Sequence, residues 1–500
     1  MNFSFENKTV SGCRETGRLT ASVQLSAETV VPDTGDDIAR IASVQCRTVL
    51  KSKEMTRSGV RVTGEVCACC ICITETGKLS DIRLSKDFEL CFDAQELPED
   101  TMTHIGLSVP AAHSRLINPR KISTAFEISG LLRIYGECET PVDCDLPEKL
   151  KGEGLHLRYR EADVTAITCA AEKSFTLSEQ YRLTPEKAIP QSIIWEKCAH
   201  RINDVQMIGT KAIIRGSISV CAYCRTEEGE YPAEYEFSSP FSQIIETGTE
   251  ETEFASAHIE PTALYAEIQD TVSGEKALSI ELHALAELTG FCRRKLRYVS
   301  DLYSNRAPTQ CIYEKRSLSD ASPVKTLTFN CAEMLSAGED CEEIVCVLLN
   351  SMQPEVSDGV LYDTVNADII YKSLHGELMS VRRSFRIEGG IGEKNVSVVS
   401  ALLTDCLIHT DGNRAEVHSA LEVSLQSTAA TEINAVSGAE LDEDSPYDIS
   451  AFPTVTLVRA DTDDLWLYAK AYHSDEAAIA ALNELEGDIK GSLLLIPKSV

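Results

Sequence analysis

The chain has 500 residues, of which 43% are hydrophobic and 25% are charged. This composition supplies apolar side chains for about three or four folded domains and excludes wholesale disorder. The formal net charge at pH 7 is −31, and the longest basic run is Arg293-Arg294-Lys295. Phosphate backbones and anionic lipid surfaces repel such a chain, so we expect neither nucleic acid binding nor peripheral membrane binding.

The N-terminal sequence and the cysteines indicate a reducing compartment. Residues 1–6 lack the basic segment and apolar core of a signal peptide. The longest apolar run, near Ile344–Leu349, is far shorter than a membrane span. The 19 cysteines are scattered without even pairing, which is typical of proteins whose thiols stay reduced. We therefore expect a cytoplasmic protein without membrane insertion.

A short alternating pattern occurs three times along the chain, which indicates an internal repeat. Its central position is Gly64 in the first copy, Gly216 in the second and Ala367 in the third, at spacings of 152 and 151 residues. Each copy continues with a charged turn and a long alternating strand. The turns are Asn118–Lys121, Gly274–Lys276 and Asp411–Arg414. A period of two rich in Val, Ile and Thr predicts antiparallel β-sheet.

The repeat predicts a mainly β fold, in which three antiparallel, sandwich-like modules precede a small α+β domain. The predicted bounds are 20–155 for the first β module, 160–305 for the second, 310–437 for the divergent third, 438–449 for an acidic linker and 450–499 for the terminal domain.

The terminal domain has the pattern strand, helix, helix, strand. Thr454–Val458 alternates as a strand does, and Asp463-Asp464 can cap a helix whose apolar face is Leu465, Tyr468, Ala469 and Tyr472. Asp475 can cap a second helix with Ala478, Ile479 and Leu482 on its apolar face, and Leu493–Ile496 predicts the second strand. We expect Trp466 to be buried in the core.

The spacing of this domain resembles the LysM module. The matching residues are Asp463, Leu465-Trp466, Ala469, Tyr472, Ile479, Leu482-Asn483, Leu494, Ile496 and Pro497. Thr462 stands where the family usually has glycine. The resemblance implies binding of N-acetylglucosamine polymers through two loops. The candidate partner- or glycan-binding residues there are Asp461, Thr462, Asp463, Asp464, Leu465, Asn483, Glu484, Leu485 and Glu486. The carboxylates of these loops favour a basic partner over a neutral sugar.

Three β modules followed by a LysM-like end resemble the SPOCS family of spore coat assembly proteins from spore-forming Firmicutes. The matching features are Pro32–Ile38, Gly64, Gly216, the charged turns and the ending Leu494–Pro497. The resemblance implies a scaffold in the mother-cell cytoplasm that docks coat morphogenetic proteins at the forespore surface, with the basement-layer ATPase as a candidate partner. The alternative is a peptidoglycan-binding protein that acts through its LysM-like domain.

Catalytic and metal chemistry has weaker support in the sequence. Cys69 and Cys72, like Cys221 and Cys224, have the spacing of half a zinc site. Residues three apart on a strand point to opposite faces, however, and no second ligand pair accompanies them. Gly389–Lys394 lacks the signature of a phosphate-binding loop, so we expect a hairpin turn there. We expect no metal, no cofactor and no enzymatic activity.

Overall fold

The computed structural model describes residues 2–33, 35–94, 97–98, 101–145, 154–183, 189–226, 233–271, 275–321, 324–351, 354–485 and 487–498. Strands dominate the described residues, as predicted. The first copy of the repeat contains β1 (Asn2–Ser4), β2 (Glu6–Val30), β3 (Ile38–Thr56), β4 (Gly59–Thr74), β5 (Leu79–Asp93), β6 (Met102–Asn118) and β7 (Lys121–Asp145). The second contains β8 (Leu155–Arg182), β9 (Pro190–Ile208), β10 (Lys211–Thr226), β11 (Ala233–Glu246), β12 (Phe254–Asp270) and β13 (Lys276–Ser304).

The third copy contains β14 (Thr309–Ala321), β15 (Lys325–Ser336), β16 (Cys341–Ser351), β17 (Glu355–Ser357), β18 (Val360–Ser373), β19 (Leu378–Gly390), β20 (Val396–Asp411) and β21 (Arg414–Leu441). The terminal domain contains a 3₁₀ helix (Ile449–Ala451), β22 (Val455–Arg459), α1 (Leu465–Ala471), α2 (Glu476–Asn483) and β23 (Leu493–Pro497).

All three β modules have the same topology. A long strand, divided into β14 and β15 in the third module, comes first, a meander follows, and a final hairpin returns to pair with the long strand. The meanders are β3–β4–β5, β9–β10–β11 and β16–β18–β19, and the second sheets are β2–β7–β6, β8–β13–β12 and β15–β21–β20. The two sheets of each module pack around an apolar core. The predicted antiparallel β-rich modules are therefore confirmed.

A glycine on the central meander strand lies under a phenylalanine ring in the first two modules. Gly64 pairs with Phe88 and Gly216 pairs with Phe241. A Cβ atom on Gly64 would lie 2.4 Å from the Phe88 ring, and one on Gly216 would lie 2.6 Å from the Phe241 ring. Glycine is needed at these positions because the ring occupies the space of a side chain.

In the third module, the residue at the position of Gly64 and Gly216 is not Ala367, which the sequence pattern predicted. Gly64 lies ten residues before Thr74, where the β4–β5 hairpin turns, and Asp363 lies ten residues before Ser373 in the matching β18–β19 turn. Asp363, which pairs with Ile387, and not Ala367 therefore corresponds to Gly64. The predicted position was wrong by four residues, because Asp363, Val365 and Ala367 are all buried and the alternation along β18 is the same at each of these offsets.

We predict that Gly64→Ala and Gly216→Ala each destabilise the protein by about 1–3 kcal/mol, because the added methyl group overpacks the core. In addition to the ring contacts, the new Cβ would lie 2.7 Å from the Val49 carbonyl oxygen or 2.2 Å from the Arg201 carbonyl oxygen. The urea midpoint measures the loss. Gly106→Ala is the control, since no atom lies within 4 Å of its added Cβ. Equal midpoints for the three variants would contradict the prediction.

The charged turns lie against the loops that join the first strand of a module to its meander. Arg120 donates to the Asp37 carboxylate at 2.8 Å and to the Pro32 carbonyl oxygen at 2.8 Å. In the third module, Asn413 donates to the Gly338 carbonyl oxygen at 2.9 Å. The residues that carried the family resemblance thus meet at one corner of the module; Gly274 of the second copy lies outside the described residues.

The long strands continue beyond their sandwiches and join the modules. The ribbons β2/β7, β8/β13 and β14/β21 share one 11-stranded sheet, in which β2 meets β8 at Cys13 and Ile167 and β8 meets β14 at Thr165 and Asp320. The strands therefore exceed the predicted module bounds: β2 begins at Glu6, β8 begins at Leu155, and β21 ends at Leu441. The linker predicted to begin at residue 438 begins after β21, because residues 438–441 pair with β14.

The first strand of each meander contains a β-bulge. The skipped residues are Ala42, Ile194 and Val345, and the residues that follow them are Ser43, Trp195 and Cys346. A bulge locally bends and twists its strand. Ser43, Trp195 and Cys346 therefore occupy equivalent positions in the three modules.

The bulged segments connect the modules into a closed ring. One apolar cluster contains residues of all three modules: Cys69, Ile71, Ile194, Trp195, Tyr223, Val345, Cys346, Leu348 and Ile370. The contact between the third and first modules includes Ser43 Oγ, which donates to Asp368 Oδ2 at 2.6 Å. Each bulged segment packs on the preceding module, and the contact of module 1 with module 3 closes the ring.

The glycine-rich segment Gly389–Lys394 was predicted to be a hairpin turn, which is wrong. It leaves β19, which pairs with β18, and leads to β20, which pairs with β21 in the other sheet. The segment therefore connects the two sheets of the third module. Gly389 itself lies against the Phe329 ring, 2.1 Å from where its Cβ atom would be.

Candidate partner- and glycan-binding surface of the terminal domain

The terminal domain has the strand–helix–helix–strand order that the sequence predicts. β22 and β23 pair antiparallel, and the helices pack on the face that carries Leu494 and Ile496. Trp466 is 2% exposed and lies in the same core as Ile479, as expected. Two residues predicted to lie on apolar helix faces, Tyr472 and Leu482, are 41% and 43% exposed. Tyr472 is the C-cap of α1 and Leu482 lies in the last turn of α2, where each side chain leaves the packed face.

Both helices begin at predicted capping residues. The Asp464 carboxylate accepts a hydrogen bond from the Trp466 backbone N–H at 3.2 Å, and the Asp475 carboxylate accepts one from Ala478 at 2.9 Å. Asp463, which was also predicted to cap α1, has another role. Its carboxylate accepts the backbone N–H groups of Ile489 and Lys490 at 3.0 and 2.7 Å, so it joins the two candidate loops.

The loop between β22 and α1 is ordered by Tyr468. The Tyr468 hydroxyl accepts the backbone N–H groups of Asp461 and Thr462 and donates to the Asp461 carboxylate. This hydrogen bond lowers the pKa of Asp461. The Thr462 hydroxyl accepts the backbone N–H of Asp464 at 3.3 Å. Leu465 is half-buried against the domain core. Most polar groups of this loop are therefore used within the domain.

The loop between α2 and β23 depends on Asn483. Its side-chain amide donates to the Ile479 and Leu495 carbonyl oxygens and accepts the Leu495 N–H, at 2.6–2.8 Å. Glu484 follows in the left-handed region with φ 45° and is exposed, whereas Leu485 packs on the core. Glu486 lies outside the described residues. Asp461, Asp463, Glu484 and the neighbouring Asp488 are the exposed acidic residues described on the two loops, which meet through Asp463.

The terminal domain is docked on a surface of the second module that was not predicted from the sequence. The Trp466 indole N–H donates to the Asp301 carboxylate at 2.7 Å, and the Trp466 ring packs edge-on against Tyr303 with a centroid distance of 4.8 Å. Lys470 forms an ion pair with Asp301 at 2.7 Å. Asp301 and Tyr303 lie at the end of β13, so α1 is fixed on the second module.

Polar contacts extend this interface on both sides of Trp466. Arg158 of β8 forms an ion pair with Asp464 at 2.7 Å, and the Tyr303 hydroxyl donates to the Ser474 carbonyl oxygen at 2.8 Å. The Asp464 carboxylate, which was expected to favour a basic partner, is therefore paired within the chain. No short-range pattern links α1 to residues so distant in sequence, which is why the partners of Trp466 were not predicted.

The carboxylate at the centre of the interface stays ionised. Burial of Asp301 by itself raises its pKa, but hydrogen bonds from Lys470 and Trp466 outweigh burial and hold the pKa below its ordinary value. A lowered folded-state pKa contributes stability that is present above the unfolded-state pKa and is lost as the pH falls through the folded-state value. The Asp301 contacts should therefore persist from neutral pH down to about pH 4.

Comparisons with known proteins add no relatives. Protein-family models, curated proteins and solved structures give no match to this chain. No helix in the described part of the chain is long and apolar enough to cross a membrane.

The cysteines considered as half-sites for zinc lie on opposite faces of their strand. Cys69 belongs to the cluster between modules, and its thiol is 3.4 Å from the Ile194 carbonyl oxygen, whereas Cys72 packs inside the first module. Burial raises the pKa of both thiols. Across the described ranges, no group of three or more His, Cys, Asp and Glu side chains could hold a metal ion.

Proposed function

We propose that the chain is a non-enzymatic scaffold of spore coat assembly, which docks coat morphogenetic proteins at the developing spore surface from the mother-cell cytoplasm. The closed ring of three modules supports this role, because a ring gives several similar surfaces a fixed relative geometry. The terminal domain is fixed on that ring through Asp301 and Tyr303. A domain held in this way presents its outer surface to a partner in one orientation.

The outer face of the β22–β23 sheet is the best candidate for the docking surface. Leu457 and Leu493 on this face are 61% and 64% exposed, while the opposite face is buried under the helices. Exposed aliphatic residues grouped on one small face are typical of protein-binding surfaces. This face, and not the loops, is where the terminal domain offers apolar area.

Co-purification from sporulating cells tests the proposal. The tagged chain should recover coat proteins, and a variant with both Leu457→Asp and Leu493→Asp should recover at least tenfold less, because charge on the apolar face opposes docking. Leu374→Asp is the matched control, since Leu374 is 64% exposed on a hairpin of the third module. Recovery of no coat protein by the unmodified chain would overturn the proposal.

Binding of peptidoglycan through the LysM-like loops is the second candidate function. It is favoured by one observation: Asp463 holds the two loops side by side, with Asp461 and Glu484 exposed beside them. Sedimentation with purified peptidoglycan is the test. Asp461→Asn and Glu484→Gln should reduce retention at least tenfold if the loops bind glycan. Asn483 and Asp463 are unsuitable targets, because their side chains hold the domain together.

A further inference from the structure

The interface between the first and second modules is filled by four side chains, which we call the plug: Arg47, Arg83, Trp195 and Glu196. Trp195 is 5% exposed, and the Arg47 guanidinium lies 5.1 Å from the centroid of its ring. Glu196 forms ion pairs with Arg47 at 2.8 Å and with Arg83 at 3.1 Å. An aromatic ring and a paired carboxylate thus close this interface.

The strand registers identify the corresponding positions between the second and third modules. Cys346 follows the bulge of β16 as Trp195 follows that of β9, so Val347 corresponds to Glu196. Ala199 corresponds to Arg47, because they pair with the equivalent residues Ser219 and Cys67. Glu236 corresponds to Arg83, because they pair with Cys221 and Cys69. Each member of the plug is replaced by a smaller or oppositely charged residue.

A groove occupies the place of the missing plug. Its cavity has a volume of about 230 Å³ and is lined on one side by Val347, Leu349 and Leu402. The other side is the outer face of β9–β10–β11, where Glu234 and Glu236 are exposed. The groove therefore has an apolar wall and a floor with carboxylates.

The floor of the groove carries a carboxylate on the β11 side and an ammonium group on the β9 side. Glu236 has no ion-pair partner among the described residues, and Lys197 lies across Cys221 from it. Arg201, the other cation of the groove, is used in an ion pair with Glu422 of the third module. A cationic side chain that enters on the β11 side therefore meets an unpaired carboxylate.

We propose that the groove between the second and third modules binds an extended segment of a partner protein, with a large apolar side chain against Val347, Leu349 and Leu402 and a basic side chain on Glu236. The partner segment would supply an apolar side chain, as Trp195 does between the first and second modules. Its basic side chain would pair with Glu236, whereas between the first and second modules the acidic Glu196 pairs with Arg47 and Arg83. This inference rests on the proposed role as an interaction protein and names the chemistry of one partner segment.

A charge-reversal experiment tests the groove directly. The probe is a fluorescein-labelled peptide of residues 192–199 that carries Glu196→Arg and Cys198→Ser; the comparison peptide carries only Cys198→Ser. Fluorescence anisotropy with the full chain should show at least tenfold tighter binding of the Arg peptide. In the chain variant Glu236→Arg the preference should reverse toward the Glu peptide. Glu236 is exposed on an edge strand, so this variant keeps the core intact.

Two further variants locate the binding. Ala199→Trp should abolish binding of the Arg peptide, because Ala199 lines the cavity and the new ring fills it. Glu89→Arg, an exposed glutamate on β5 of the first module, should leave binding unchanged. Equal affinity for the two peptides, or a preference that persists in Glu236→Arg, would overturn the proposal. The assay contains no coat protein, so its failure is separate from a failure of the co-purification test.

Discussion

Trp466→Ala should release the terminal domain from the ring and unfold it. The substitution removes the ring contact with Tyr303 and the hydrogen bond to Asp301, and it empties the centre of a small core. Loss of a buried tryptophan costs about 3–5 kcal/mol, and a domain of this size has little more stability than that. Limited proteolysis should then cleave rapidly between residues 442 and 500, while the three β modules stay intact.

Two control variants separate docking from folding. Leu467→Ala changes an exposed residue of the same helix, with 49% of its surface accessible, and should leave the protease pattern unchanged. Asp301→Asn should loosen the docking without unfolding the domain, because Asp301 lies on β13 outside the terminal core. If Trp466→Ala and Leu467→Ala are cleaved at the same rate, the interface with Tyr303 contributes little to stability.

Truncation after Leu441 should remove the terminal domain and leave the three β modules folded. A chain cut earlier, within residues 438–441, would lose backbone pairs between β21 and β14, so the cut must follow β21. The truncated protein should keep the ring but expose Tyr303, which is 4% exposed in the full chain. Removing this cover should lower the unfolding midpoint of the second module.

The sequence predicted the local structure of the terminal domain well because short-range patterns determine it. Helical spacing placed Trp466 and Ile479 in the core, and capping preferences placed Asp464 and Asp475 at helix starts. The same loops were expected to offer their carboxylates to a basic partner, but the Asp464 carboxylate is paired within the chain. Its ion-pair partner, Arg158, is on a strand of another module and carries no signal in the sequence near α1.

The limits of the prediction for the β modules have a similar cause. Alternation identifies a strand and its buried face but not its partner or the length of its pairing. The extension of β2 and β8 into a shared sheet therefore could not be predicted, and Ala367 was aligned where Asp363 belongs. The groove between the second and third modules could not be inferred either, because it depends on comparing Trp195 with Cys346 through their bulges.

Lys53→Met should destabilise the contact between the first and second modules more than any surface substitution. Lys53 is 11% exposed and forms ion pairs with Glu287 at 2.9 Å and with Glu172 at 2.6 Å. Glu287 is fully buried, and its two carboxylate oxygens accept the Ile105 backbone N–H at 3.0 Å. Glu287 of β13 thus accepts the hydrogen bond of a backbone N–H on β6, an edge strand of the neighbouring module.

Loss of the Lys53 ammonium leaves the Glu287 carboxylate buried without its cation. Removing one partner of a buried pair costs about 3–5 kcal/mol. Burial already raises the pKa of Glu287, although Lys53 opposes the increase. A raised folded-state pKa favours stability at low pH and costs stability as the pH rises through that value. The loss in Lys53→Met should therefore shrink as the pH is lowered from 8 to 5.

The matched control is Lys51→Met on the same strand. Lys51 pairs with Glu65 at 2.9 Å and with Asp87 at 2.6 Å, but Lys51 and Asp87 are open to solvent and Glu65 is partly exposed. Exposed pairs contribute about 0–1 kcal/mol, so this variant should change the urea midpoint little at any pH. Glu287→Gln combined with Lys53→Met should recover part of the loss, since the amide oxygen can still accept the Ile105 N–H without a buried charge. Equal losses in Lys53→Met and Lys51→Met would show that the module contact does not depend on the buried pair.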